Sequence, residues 1–291
     1  MPGDPFTGEI DPTVTADRLE ELRDMYGLND PWYEQYTRWI GSAVQGDFGN
    51  SFRYKMPVTD LIGDRIWNTV GLGVLTLIFT YIIAIPLGIV GGRYTDSWAD
   101  KAINVYSYVG FAIPSFIFGL VALFIFGFQL GWFPTSGSVT PGTIPGTFDY
   151  YLSKLYHMTL PALSLALIST VVTIQYLRNE VIDTKHKEFV NTIKAKGADE
   201  TRVYNKHILR NSLLPVAAFF GYEIVGVVGG ALFIERVFSF PGIADLLISS
   251  ILQRDYTVVT ALLLMFGVLT VVGTVLSDII LSIVDPRIRI K

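Results

Sequence analysis

The sequence predicts an all-α polytopic membrane protein, and three observations carry that expectation. Hydrophobic residues make up 51% of the 291-residue chain, and the mean hydropathy is +0.44, outside the usual range of soluble chains. Five apolar runs, at about 67–91, 103–128, 158–177, 213–233 and 258–283, are each long enough for a hydrocarbon layer that needs about 20 helical residues. The charges are segregated. Residues 1–66 hold twelve Asp/Glu against six Lys/Arg, while Arg178 to Arg210 hold eight Lys/Arg against five acids. Segregation of this kind is a topology signal rather than a nucleic-acid footprint.

Taken in order, residues 1–66 are expected as an extracytoplasmic segment and 67–291 as a transmembrane domain. Thr15 or Asp17 starts a short helix with Leu19, Leu22 and Tyr26 on one face, closed by Gly27. Asp30-Pro31 then reads as a cap followed by proline in the first helical position. After it, Trp32, Tyr36, Trp39, Ile40 and Ala43 form an aromatic stripe that fits either the membrane–water interface or a neighbouring protein surface. Pro86 and Pro114 interrupt the first two spans, where proline frees a carbonyl and kinks a helix. Ser115 beside Pro114 adds a hydroxyl that can face a polar path, although plain bending is the simpler account of the pair.

Loop charges set the orientation. The 129–157 loop has one lysine and is assigned outside; the basic block after the third span is assigned inside, with the Asp285-Pro286-Arg287 tail. Five spans ending inside put residue 1 outside, with no preceding span to carry it there. Between the fourth and fifth spans, Phe238-Ser239-Phe240-Pro241-Gly242 and an amphipathic stretch with Leu246, Leu247, Ser250 and Ile251 read as a surface or re-entrant helix on the outer side.

The basic block at 178–212 is organised like a handle. Glu188 to Lys196 has helical spacing with Phe189, Val190 and Ile193 on one face. Gly197 supplies a left-handed stop, and Asp199 caps a second helix through Tyr204 and Ile208. Two short helices joined by a reversal make a knob for docking on another protein; on the residues alone, an ordinary basic loop is as good a reading.

Glu188-Phe189-Val190, Ala195-Lys196-Gly197 and His207-Ile208-Leu209 resemble the coupling loop of ABC importer permeases. The run through Arg210-Asn211-Ser212-Leu213-Leu214-Pro215 is similar to the dipeptide/oligopeptide/nickel branch, as are Gly46-Asp47-Phe48-Gly49 and the closing Asp285-Pro286-Arg287. Phe189 and Val190 stand where the general motif has alanines, and Arg210 where many members have proline. The resemblance implies six spans, so that the first, which normally ends near a stretch like Pro2-Gly3-Asp4-Pro5, is missing from this sequence. It also implies partners: a second homologous permease subunit, two ABC ATPase subunits, an extracytoplasmic substrate-binding protein and a peptide substrate, with nickel or glutathione as alternatives within the family. Coupling to the ATPases then falls to Glu188, Phe189, Val190, Ala195, Gly197 and His207.

No phosphate-loop motif occurs, so no cofactor is expected on this chain, and ATP and Mg would bind the partner ATPases. Gly226, Gly229 and Gly230 lie in an apolar run without lysine and read as helix packing. The absence of cysteine excludes a disulfide framework, and three scattered histidines make a metal cluster improbable. Serines within spans (Ser115, Ser164, Ser169, Ser277) lack a histidine in a span interior, which argues against an intramembrane hydrolase. Glu223, in the middle of the fourth span, is a carboxylate expected to face protein or a water-filled cavity rather than lipid. It either lines a translocation path with Pro114 and Ser115, pairs with a partner or hydroxyls, or serves a secondary carrier or channel. The carrier reading leaves the handle without a use.

Overall fold

The computed structural model describes residues 20, 21, 23, 24, 27–213, 216, 223 and 231–284. Among them all regular structure is helical, apart from one isolated bridge between Asn50 and Pro57. Most of the fourth apolar run, the Thr15–Tyr26 helix except for a few residues, Pro2–Pro5, Gly226, Gly229, Gly230 and the 285–291 tail lie outside the described residues.

Helix α1 (Trp32–Val44) begins directly after Pro31, whose carbonyl accepts from the Glu34 and Gln35 amides. Its stripe divides. Ala43 is buried and Trp39 and Ile40 are half-buried, whereas Trp32 and Tyr36 stay exposed, so only the C-terminal half packs on the chain. Helix α2 (Val58–Arg93) has 36 residues, or ~54 Å at 1.5 Å per residue, well beyond the ~30 Å of a hydrocarbon core. The apolar 67–91 run fills its C-terminal part almost to the end, and the 58–66 stretch is the same helix extended at its start. Pro86 is absorbed without breaking it.

Pro114 does more than kink. Ile113 takes an extended conformation, as the residue before a proline tends to, and the chain breaks into α3 (Trp98–Ala112) and α4 (Ser115–Ala122, continuing as a π-helix over Leu123–Gln129). The two halves are bent by 102°, so the 103–128 run is a broken span or a re-entrant loop rather than one straight crossing.

Helix α5 (Phe148–Lys185) is the central element. In its most apolar 18 residues 61% are buried, against 22% in α2 and 28% in the last helix, α9 (Tyr256–Val284). Among the described residues three helices are thus long and apolar enough to cross a membrane, or four counting the bent pair. Small residues let α5 approach its neighbours. A Cβ on Gly88 would lie 2.9 Å from the Leu177 Cβ, one on Gly92 2.5 Å from the Val181 Cβ, and one on Gly110 2.5 Å from the Val171 Cγ2. Each is closer than side chains tolerate, so glycine sets the spacing of α2, α3 and α5.

After α5 come two short helices, α6 (Glu188–Ala195) and α7 (Glu200–Arg202, continuing as a π-helix over Val203–Ile208). At the opposite end of the molecule, α8 (Ile243–Leu252) packs Ile243, Leu246 and Leu247 against Val58 and Leu61 of α2 and Val258 and Leu262 of α9. This is the amphipathic stretch anticipated between the last two spans. It is buried against the chain, with Ser250 inside and Ile251 on the exposed side.

Candidate functional site

The 178–212 segment folds as its local pattern requires. Lys187 precedes α6 in an extended conformation, Glu188 places an acid in the first turn where it suits the helix dipole, and Lys194 a base in the last. Gly197 has φ +77°, the left-handed turn that favours glycine, and the space around its missing Cβ is open. The Asp199 side chain then accepts from the Thr201 amide at 3.1 Å and opens α7.

Apolar burial fixes the pair of helices. Val190, Val203 and Ile208 are essentially fully buried with Leu177, Val181 and Val216, and Phe189, Ile193, Tyr204, Ile85 and Ile89 pack around them. This cluster seats α6 and α7 on the ends of α2 and α5. Burying three side chains of this size is worth roughly 1.5–3 kcal/mol each. Glu188, Ala195 and Gly197 remain exposed, His207 and Phe189 are half-buried, and Val190 faces inward. Of the six residues expected to couple, Val190 thus packs on its own chain, and Glu188, Ala195 and Gly197 present the outer surface.

Charge ties the same region together. Arg178 clamps Asp100 with two parallel bonds, Nε to Oδ1 at 2.6 Å and Nη2 to Oδ2 at 2.8 Å. Asp100 is 2% exposed, and it also accepts from the Asp96 amide and the Asn104 side chain. The Arg178 bond holds the Asp100 carboxyl below its ordinary value, against a smaller opposing effect of burial. Arg178 was legible in the sequence only as the first basic residue of the handle; its partner lies 78 residues away. The 92–102 segment, which carries Arg93 and Lys101, thus sits at the handle end.

A second polar knot forms at the far end. Glu235, fully buried, accepts from the Thr69 hydroxyl at 2.7 Å and from the Ala244 and Asp245 amides at 2.9 and 3.0 Å. The Thr69 oxygen in turn accepts from the Ile243 amide at 2.8 Å, so Glu235 and Thr69 together cap α8. Asn68 donates to the Pro241 carbonyl, and Asp245 binds both Arg65 and Arg236. Sequence reading passed over Glu235; its one available signal was a carboxylate directly after an apolar run.

Glu223 sits between α2 and α5. Tyr81 donates to its Oε2, and Thr173 to its Oε1 at 2.9 Å. It is half-buried, and hydroxyls rather than bases hold it. Pro114 is exposed at the start of α4 with Ser115 half-buried beside it; among the described residues Glu223 is held by Tyr81 and Thr173, and no hydrogen bond joins it to Pro114 or Ser115. Among the other polar groups, the Ser164 hydroxyl is spent on the Leu160 carbonyl, and His157 bonds the Ser153 carbonyl. Among the described residues no group of His, Cys, Asp and Glu is placed to hold a metal ion.

Comparison with known proteins places this arrangement. Residues 84–290 match the family described as the binding-protein-dependent transport system inner membrane component. The chain is 41% identical over 289 residues to the oligopeptide transport system permease protein AppB of Bacillus subtilis, covering 99% of this chain and 90% of that one. It is 31% identical over 291 residues to the glutathione transport system permease protein GsiC of Escherichia coli, covering 100% and 90%. Among solved structures, a chain of the MetNI methionine ABC transporter superposes with a TM-score of 0.61 at 13% identity, covering 78% of this chain and 97% of that one, which is a likeness of fold.

Proposed function

The chain belongs to the binding-protein-dependent transport system inner membrane component family, and from that premise we propose that it admits peptides to the cell while its 178–212 handle receives the drive. It is a membrane permease subunit of an ABC importer, and ATP hydrolysis belongs to partner subunits. The likeness to oligopeptide and glutathione permeases supports a peptide cargo. The proposed assembly has a second permease of the same kind, two ATPase subunits that hold ATP and Mg, and an extracytoplasmic substrate-binding protein. The proposed topology has five spans in this chain, with 1–66 extracytoplasmic and with the handle and C-terminus in the cytoplasm.

The observation that carries the coupling role is the two-sidedness of the handle. Its apolar face is locked on α2 and α5, while Glu188, Lys194, Lys196 and Gly197 are exposed. A push on the exposed side must therefore be felt by both long helices. The far-side knot around Glu235 and α8 then closes or opens as the helices tilt, which is rigid-body gating. Glu223, Pro114 and Ser115 are proposed to line the path, with Glu223 offering negative charge to the cationic end of a peptide.

Two experiments bear on this. With no native cysteine in the sequence, single cysteines at Ser42, Ser138 and Asn191 report topology without background. The first two are expected to react with an impermeant thiol reagent from outside, and Asn191→Cys only in opened cells; labelling of Asn191→Cys in intact cells reverses the orientation. In reconstituted complex, Gly197→Val is expected to strain the positive-φ turn by about 1–2 kcal/mol. Peptide uptake and peptide-stimulated ATPase activity fall together while binding of the peptide-loaded binding protein persists. Normal uptake at normal expression removes the handle from the drive.

A further inference from the structure

We propose that the turn joining α2 and α3 is a second arm of the handle, clamped to it by Arg178, Lys185 and Tyr204, and that it delivers the handle's motion to the broken helix pair α3–α4. The proposal rests on the coupling role given to the handle above and says by which contacts the motion leaves it. Three unlike contacts converge on this short turn and the helix ends that flank it. Arg178 holds Asp100 through two short, parallel hydrogen bonds. Lys185, the last residue of α5, donates to the Gly92 carbonyl at 3.2 Å and to the Thr95 hydroxyl at 2.7 Å. The Arg93 guanidinium lies 4.5 Å from the ring centroid of Tyr204 in α7 and 5.1 Å from that of Tyr94.

The backbone underneath is as tight. A Cβ on Gly92 would come within 2.8 Å of the Arg178 carbonyl, and one on Gly91 within 3.3 Å of the Arg178 Cδ. Asp100 belongs to α3 and is fixed from that side as well, by the Asp96 amide and by Asn104, which itself receives Gln175 of α5 at 3.0 Å. A bidentate guanidinium–carboxylate pair with one partner buried holds orientation as well as distance, which a flexible loop contact does not. The inner end of α5, the handle helices and the start of α3 are thus one body. The next compliant point along the chain is the break at Ile113-Pro114, where α3 and α4 meet at 102°. Rotation of that body is converted there into a change of angle between α3 and α4.

Asp100 and Arg178 are positioning residues in this scheme: they touch no cargo. The test uses the complete complex with its ATPases and binding protein in liposomes, and reads peptide imported per ATP hydrolysed. Asp100→Asn is expected to lower that ratio at least tenfold with basal ATPase activity retained, and the exchange Asp100→Arg with Arg178→Asp to recover part of it. An unchanged ratio in Asp100→Asn overturns the proposal. A second measurement keeps it testable if that variant fails to assemble. Thr95→Cys with Lys185→Cys, joined by a short bis-thiol reagent, is expected to import at least as well linked as unlinked, because the two segments never part. Loss of uptake on linking shows that they separate during the cycle and overturns the clamp. Absence of ATP-driven peptide uptake by the unaltered complex is a different result and counts against the proposed function itself.

Discussion

Gly242→Val is expected to destabilise the folded chain by about 3 kcal/mol, the scale of breaking a buried charged network. The cause is space, not backbone freedom: Gly242 has φ −108° and ψ −177°, a conformation open to any residue. A Cβ there would lie 2.1 Å from the Glu235 Oε1 and 2.2 Å from its Cδ and Oε2. The carboxyl would have to leave, yet it is fully buried and is the acceptor for two amides at the start of α8 and for Thr69. Displacement strands those donors, each at about 1–3 kcal/mol if no water replaces the carboxylate. The check is thermal unfolding in detergent with a double-mutant cycle. Gly242→Ala is expected to be costly alone and nearly free in a Glu235→Ala background, since the clash has gone. Additive losses show that Glu235 does not set the glycine requirement.

The same knot has a pH signature. Burial pushes the Glu235 carboxyl up to about 7, against the opposing pull of Thr69 and the two amides. A carboxyl whose folded pKa exceeds its unfolded value holds its proton in the folded chain where the unfolded chain has lost it. Its contribution is therefore greatest below the ordinary carboxylate range and falls as pH rises to about 7. Glu235→Gln flattens that part of the profile. Its amide oxygen can serve the two backbone donors while its NH2 faces the Thr69 oxygen, so the fold survives.

Legibility in the sequence followed the range of the interaction. The boundaries of α6, the Gly197 turn and the Asp199 cap are local, set by spacing within a few residues, and each appears where the pattern puts it. The apolar face Phe189, Val190 and Ile193 was legible from period alone, and so was its burial. Pro114 signalled a disturbance but not its size, because the bend depends on how α3 and α4 each dock on α5. The two ionisable knots were illegible for a plainer reason. Thr69 and Glu235 are 166 residues apart and Asp100 and Arg178 are 78, and a single sequence carries no sign of which distant charge meets which. Arg178 read as topology when it was also architecture.

Glu223→Gln is expected to lower uptake of peptides with an extra positive charge about tenfold, or ~1.4 kcal/mol, relative to neutral peptides of equal length. A carboxylate at mid-bilayer depth costs roughly 2.5–3.5 kcal/mol on insertion scales, so a role must offset it. The structure supplies part of the offset through Tyr81 and Thr173, which donate to the two carboxylate oxygens and tie α2 to α5. Each of those oxygens has a further lone pair, and the residue is only half-buried, so a cationic group can still be received. Glutamine keeps the shape and one acceptor, but its NH2 confronts a hydroxyl that must turn from donor to acceptor. That rearrangement is mild beside loss of the charge, which is why charge-selective loss is the informative result. The measurement is competition between charged and neutral peptides for uptake by the reconstituted complex, with assembly checked by copurification. If all peptides suffer alike, or the subunits fail to assemble, Glu223 is a tie between two helices and nothing more. If the cationic peptide alone is disfavoured, the carboxylate that the hydroxyls hold in place is also the one that the cargo meets.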